Sequence, residues 1–83
     1  MNYFYVYVLK SIKTGRQYTG LTKDLDKRLA NHNAGRTKST KPYKPWKIIY
    51  FEKFEYKIDA LNREKFLKTG QGRDFLKNKL KAS

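Results

Sequence analysis

FYVYVLKSIKTGRQYTGL, residues 4–21, is the stretch that decides the fold of this chain. Tyr3, Tyr5 and Tyr7 alternate with Phe4, Val6 and Val8, so aromatic and β-branched side chains leave both sides of the backbone. That pattern predicts a strand from Tyr3 to Leu9 with both faces covered. Lys13-Thr14-Gly15 is turn chemistry, and Gln17 to Leu21 resumes a short strand, so the two pair most simply as an antiparallel hairpin. Tyr7 and Tyr18 are then expected on adjacent strands, near the end away from the turn, with Gly20 allowing a backbone or phosphate to come close.

Outward from the hairpin, Thr22 or Asp24 can cap a helix through Leu25, Leu29 and His32 that closes near Gly35. Leu25 and Leu29 pack, while Arg28 and His32 share a neighbouring stripe. Arg36, Lys38, Lys41 and Lys44 then punctuate a segment broken by Pro42 and Pro45, which reads as a long surface loop able to grip backbone phosphates. Trp46 to Phe54 is a third strand, with Ile48, Tyr50 and Glu52 facing one way and Ile49, Phe51 and Lys53 the other. Trp46 and Phe51 are expected in the core.

Lys57 to Lys68 has helical periodicity that puts Ala60, Glu64 and Leu67 on one stripe beside Leu61, a carboxylate among packing residues. Thr69-Gly70-Gln71-Gly72 interrupts it, and Phe75, Leu76 and Leu80 support a final short helix that carries Asn78. The expected architecture is α+β: a three-stranded, mainly antiparallel sheet flanked by helices in the order β-β-α-β-α-α. The 83 residues are expected to form one domain, 1–83, that buries roughly 60% of the unfolded chain's surface.

Charge narrows the partners. The chain has 20 Lys+Arg against 7 Asp+Glu, a net +13, which draws polyanions and gives salt-sensitive, sequence-independent affinity for a phosphate backbone. An anionic membrane is the rival, but no run approaches the roughly 20 apolar residues of a span. With no cysteine there are no disulfides and no thiolate ligands, as in a reducing cytosol, and the alternating N-terminal stretch reads as a strand rather than a signal peptide. A cytoplasmic location is expected.

Tyr5-Val6-Tyr7, Tyr18-Thr19-Gly20, Arg28 ten residues after Tyr18, His32 one turn further on, and Glu64 on the helix after the third strand resemble, in that order, the GIY-YIG nuclease superfamily. The string from Arg63 to Lys68, followed by Gly70 and Gly72-Arg73, looks like its small bacterial single-domain branch, which resembles the N-terminal nuclease of the excision-repair C subunit. Tyr5 stands where the first motif has glycine, Thr19 replaces isoleucine, and Leu21 stands where a lysine is common.

The resemblance implies a metal-dependent DNA endonuclease, in repair or recombination. Glu64 would bind one Mg²⁺ or Mn²⁺, since hard cations accept one carboxylate plus waters and phosphate oxygens. Arg28 would fork onto the scissile phosphate. Tyr7 would be the general base, its phenol depressed by the metal and Arg28, with Tyr18 on the phosphate or proton path and His32 orienting or relaying. Arg36, Lys38, Lys41, Lys44 and Asn78 would bind nucleic acid. Specificity would come from DNA shape, a protein partner or a dimer.

Each residue also has a plainer reading. Strand tyrosines pack, Arg28 can pair with Asp24, His32 can sit on the helix end, and Glu64 can be satisfied by a cationic side chain. The same fold with a vestigial site would be a nucleic-acid-binding module, and a basic scaffold for a ribosomal or membrane partner would need neither Glu64 nor Arg28.

Overall fold

A computed structural model describes residues 2–81. The elements run β1 (Phe4–Ser11), β2 (Gln17–Thr22), α1 (Leu25–Asn33), a 3₁₀ turn at Lys41–Tyr43, β3 (Trp46–Phe54), α2 (Lys57–Leu67) and α3 (Gly70–Lys81). The α+β architecture matches expectation: one sheet in the order β2-β1-β3, antiparallel on both sides of β1.

Because β1 is central, its two faces carry two cores. Val6 and Val8 pack with Ala60 and Leu67 of α2 and Leu76 of α3. Tyr7 and Leu9 pack with Trp46 and, through Leu25 and Leu29, with α1. This explains why β1 reads as a continuous apolar run: a strand covered on both sides has no solvent face to mark with polar residues.

Local chemistry fixes the ends of α1. The Asp24 carboxylate accepts from the Lys27 backbone N–H at 3.1 Å, and Gly35 closes the helix at φ +77°, a left-handed conformation glycine adopts without steric cost. Asp24 is therefore a cap rather than an Arg28 partner. The loop that follows is tied down: Trp46 Nε1 donates to Thr40 O at 3.0 Å, Ser11 Oγ donates to Tyr43 O at 2.6 Å, and Ile12 N donates to Pro45 O at 2.9 Å.

Four local expectations change. Tyr18 pairs with Leu9, next to the Lys10–Gln17 pair that borders the turn, so it lies toward the turn and not away from it. Val8 opposes Tyr50 but Leu9 opposes Ile48; this bulge skips Ile49 and reverses the facing of everything after it. Ile48 consequently packs beside Tyr7, whereas Ile49 and Tyr50 pack beside Val6 and Val8. Phe51 and Leu61, expected to pack, are 52% and 43% exposed.

The glycines after α2 do not shorten the last helix. α3 starts at Gly70, with the Thr69 hydroxyl accepting from Gly72 N at 3.1 Å. Gly72 is buried where a Cβ would fall 2.0 Å from Phe66 O, so its missing side chain is what lets α3 pack against the end of α2.

Candidate active site

Tyr7 points from the centre of the sheet toward β2, and its register partner there is Gly20. With no side chain opposite, the phenol lies over the Gly20 backbone; a Cβ on Gly20 would come 2.5 Å from the Tyr7 oxygen. The close approach foreseen at Gly20 is thus that of Tyr7 itself. Paired residues on adjacent strands project to the same face, which is the face α1 covers.

Arg28 and His32, one turn apart on α1, meet at this hydroxyl. Arg28 Nε donates to the Tyr7 oxygen at 3.2 Å, and His32 Nε2 lies 3.1 Å from it. His32 is fully buried, so it does not decorate the helix end. Its other nitrogen, Nδ1, lies 2.8 Å from Thr40 Oγ, and that hydroxyl donates to Thr37 O at 3.3 Å. A hydroxyl has one proton. Once it is directed at the Thr37 carbonyl, Thr40 Oγ accepts from His32 Nδ1–H, and Nε2 is left with a lone pair facing the Tyr7 O–H. In that His32 tautomer the network runs one way from end to end: Arg28 to Tyr7 to His32 to Thr40 to Thr37.

Tyr18 completes the aromatic wall, its ring centroid 5.0 Å from that of His32 and 6.4 Å from that of Tyr7. Hydrogen bonding to Tyr7 pushes the Arg28 pKa up, against the opposing effect of burial, and bonding to Tyr18 adds to it. The His32 pKa is lowered, first by burial and then by the Arg28 charge, so the imidazole is neutral near pH 7. Burial raises the Tyr7 phenol pKa, and Arg28, which pulls the other way, does not overcome it.

Glu64 belongs to α2, on the Val6/Val8 side of the sheet. Its carboxylate nevertheless acts on Tyr7: after burial and the Tyr18 charge, the Glu64 charge also raises the phenol pKa. The two groups are therefore close enough to interact electrostatically. The Glu64 side chain is 20% exposed, and its Oε2 accepts from Lys68 Nζ at 3.0 Å. Among the described residues no three His, Cys, Asp or Glu side chains gather as metal ligands. A lone, mostly buried carboxylate fits a hard divalent cation that keeps its waters, and Lys68, 55% exposed, would compete with such an ion for the same oxygen.

Along the fold, residues 3–80 match the family model for the GIY-YIG catalytic domain. The chain belongs to the GIY-YIG family. It is 43% identical to a UPF0213 protein of Staphylococcus saprophyticus, over 83% of this chain and 84% of that one. It is 46% identical to a UPF0213 protein of Clostridium perfringens, over 77% of this chain and 69% of that one. The solution NMR structure of a UPF0213 protein from Bacillus halodurans matches with a TM-score of 0.56 and 30% identity, covering 92% of this chain and 83% of that one. In this GIY-YIG chain, the first motif thus supplies Tyr7, the second supplies the glycine that makes room for it, and α1 supplies the two side chains that bind its hydroxyl.

The remaining expected site residues are dispersed. Lys38, Lys41 and Lys44 are exposed on the loop after α1, and Arg36 donates to Asn31 Oδ1 at 3.1 Å. Asn78 is exposed on α3, the helix on the opposite side of the sheet from His32. Sequence reading passed over Thr40, which polarises His32, because a threonine among lysines and prolines shows no periodicity. It also passed over Asn33, which accepts from Trp46 N and donates to Trp46 O at 3.1 Å, clamping α1 to the start of β3. A polar residue just before the closing Gly35 was the available signal. Lys68 and Arg73, which line a cleft with Gln17, Tyr18 and Thr19, were visible only as part of a family string. No helix among the described residues is long and apolar enough to cross a membrane.

Proposed function

We propose that the chain is a divalent-metal-dependent DNA endonuclease whose general base is the Tyr7–His32 pair rather than Tyr7 alone. The observation that carries this reading is the hydrogen-bond chain from Arg28 through Tyr7 and His32 to Thr40, which in the Nδ1–H tautomer of His32 leaves Nε2 open to the Tyr7 proton. A phenol with a raised pKa is not a phenolate at neutral pH. It can still accept a proton from water if its own proton leaves in the same step, and His32 Nε2 is a neutral acceptor 3.1 Å away.

In the proposed step a water oxygen bonds to phosphorus as the bond from phosphorus to the leaving oxygen breaks in line. The water proton passes to Tyr7, the Tyr7 proton passes to His32, and the departing alkoxide takes a proton from solvent. Arg28 stays charged throughout and offers its remaining N–H groups to the non-bridging oxygens, where negative charge grows. Tyr18 bonds the same phosphate. Glu64 would hold Mg²⁺ or Mn²⁺, which supplies Lewis-acid stabilisation of the developing charge when bound. The loop cations Arg36, Lys38, Lys41 and Lys44, with Asn78 on α3, would hold flanking backbone, and the net +13 supports a polyanionic substrate.

A second reading, a binding module with a silent site, is favoured by the Lys68 ammonium already seated on Glu64. Incubation of supercoiled plasmid and of flapped DNA with Mg²⁺ or Mn²⁺ separates the two. The enzyme nicks only with metal, and Tyr7→Phe, Arg28→Ala and Glu64→Ala lose nicking while keeping their fold, with DNA affinity kept in Tyr7→Phe and Glu64→Ala and lowered in Arg28→Ala by one phosphate contact. Binding without nicking in wild type, at either metal, leaves the module.

A further inference from the structure

The face that buries Tyr7 continues into an aromatic notch outside the hydrogen-bond network. Tyr5 leaves β1 on the same side as Tyr7, about 7 Å further along the strand. Phe51, the register partner of Tyr7 on β3, lies against Tyr5 with ring centroids 6.2 Å apart and planes at 61°. The first turn of α1, at Asp24, Leu25 and Asp26, walls the other side, and Lys23 and Lys53 also line this opening of about 420 Å³. Phe51 is 52% exposed, although its neighbour Tyr7 is fully packed. Tyr5 itself stands where the name-giving motif has glycine, which puts a second ring beside Phe51.

We infer that this notch takes an unpaired nucleobase, stacked on Phe51 beside Tyr5, from the nucleotide next to the phosphate that meets Arg28. The inference rests on the nuclease reading of the neighbouring site and adds a substrate class to it: DNA with a single-stranded branch or flap. Charge placement favours a base over a backbone phosphate. Asp24 and Asp26 would repel a phosphate inside the notch, whereas their oxygens are acceptors for exocyclic amines. Lys23 and Lys53 supply positive charge for the backbone that carries the base. In a duplex each base is already stacked between neighbours, so only an unpaired one is free to enter. Base–aromatic stacking is sequence-tolerant because every base has a π face, and the platform would select strand structure and not sequence.

The test is binding in EDTA, read by fluorescence anisotropy of labelled single-stranded, flapped and fully duplex DNA of equal length, for wild type, Phe51→Ala and Phe51→Trp. Phe51→Ala should weaken single-stranded and flapped DNA roughly tenfold, leave duplex unchanged, and keep the slope of affinity against salt because no phosphate contact is lost. Phe51→Trp should restore the affinity. A flap with one abasic nucleotide at the junction should bind as weakly to wild type as the intact flap binds to Phe51→Ala. Equal weakening of all three DNAs overturns the inference, as does no weakening. A change confined to self-association or to protein partners would assign the notch to protein docking and overturn it too. Nicking of plasmid in Mg²⁺ or Mn²⁺ is scored separately: wild type that nicks while Phe51→Ala binds flaps normally sinks the platform and spares the enzyme. Wild type that never nicks while Phe51→Ala loses flap binding does the reverse.

Discussion

Gly20 lies directly across the hairpin from Tyr7, and the phenol occupies the space a Gly20 side chain would fill, with the Tyr7 oxygen 2.5 Å from the ideal Cβ position. The two sequence motifs are therefore one device: the glycine of the second is the seat for the tyrosine of the first. Contact that close cannot be absorbed without movement, and Tyr7 is 2% exposed and enclosed by Tyr18 and His32. Gly20→Ala is expected to cost about 1–3 kcal/mol of stability, as overpacking does, and to lower nicking at least about tenfold by pulling the hydroxyl off Arg28 and His32. Urea denaturation and plasmid nicking of the one variant measure both. Retained activity would show that the seat is not needed.

His32 makes stability depend on pH in a defined direction. Burial and then Arg28 hold its folded pKa below the ordinary value of about 6.5. Between those two values the unfolded chain binds a proton that the folded chain does not. Stability is therefore full above about pH 6.5 and falls as the pH drops toward the folded value. Glu52 does not confuse this window. Burial alone would raise its carboxyl, but hydrogen bonds from Arg63 and Tyr50 bring the net value below normal, so its contribution is lost only as the pH falls below about 4.3. Denaturation midpoints at about pH 8 and about pH 5 should differ in wild type and converge in His32→Gln.

Arg28→Ala isolates the charge part of the same shift. Burial remains and the guanidinium goes, so the His32 midpoint is expected to rise toward, without reaching, its ordinary value. The chain has one histidine, which makes an NMR titration of its imidazole unambiguous. A midpoint that falls in Arg28→Ala would mean the two side chains do not share the Tyr7 hydroxyl.

Gly72 tests the other layer. A Cβ there would meet Phe66 O at 2.0 Å and Leu67 Cα at 2.5 Å, and backbone atoms cannot swing aside as side-chain ends can. Gly72→Ala is expected to destabilise by about 3 kcal/mol by prising α3 from α2, despite the better helix propensity of alanine. Hydrogen exchange should show α3 amides opening first, while Gly70→Ala, with open space at its Cβ, should be neutral or mildly stabilising. Equal behaviour of the two variants would contradict this packing.

What was legible in the sequence was whatever period and local chemistry encode. Alternating Tyr and Val gave β1, Trp46 to Phe54 gave β3 to the residue, and Asp24 and Gly35 bracketed α1. The bulge at Ile49 was invisible because Ile, Ile and Tyr suit either face equally, and one skipped residue then turned Phe51 toward Tyr5 and solvent. Thr69 to Gly72 looked like a breaker because glycine disfavours helices on its own, yet contact with Phe66 selects glycine there. Within the candidate site, Arg28 and His32 were readable as a helical pair. The direction of the Tyr7 pKa shift was not, since it depends on burial by residues distant in the chain.

Thr40 is the residue on which the polarity of the site turns, and it is a positioning residue because it reaches Tyr7 only through His32. Its hydroxyl lies 2.8 Å from His32 Nδ1 and donates to Thr37 O at 3.3 Å, and in the proposed tautomer it accepts from Nδ1–H. Thr40→Val keeps the shape but leaves a buried N–H without an acceptor, a cost of about 1–3 kcal/mol. The imidazole then gains by moving its proton to Nε2, where the Tyr7 oxygen accepts it, and in that tautomer it can no longer take the Tyr7 proton. The expected outcome is a fall in the nicking rate constant with little change in DNA affinity, a switch of ring nitrogen shifts in NMR from Nδ1–H to Nε2–H, and rescue of both by Thr40→Ser. A variant that loses stability alone, with the tautomer and the rate per folded molecule unchanged, would leave His32 a packing residue and remove the proton acceptor from the proposed mechanism.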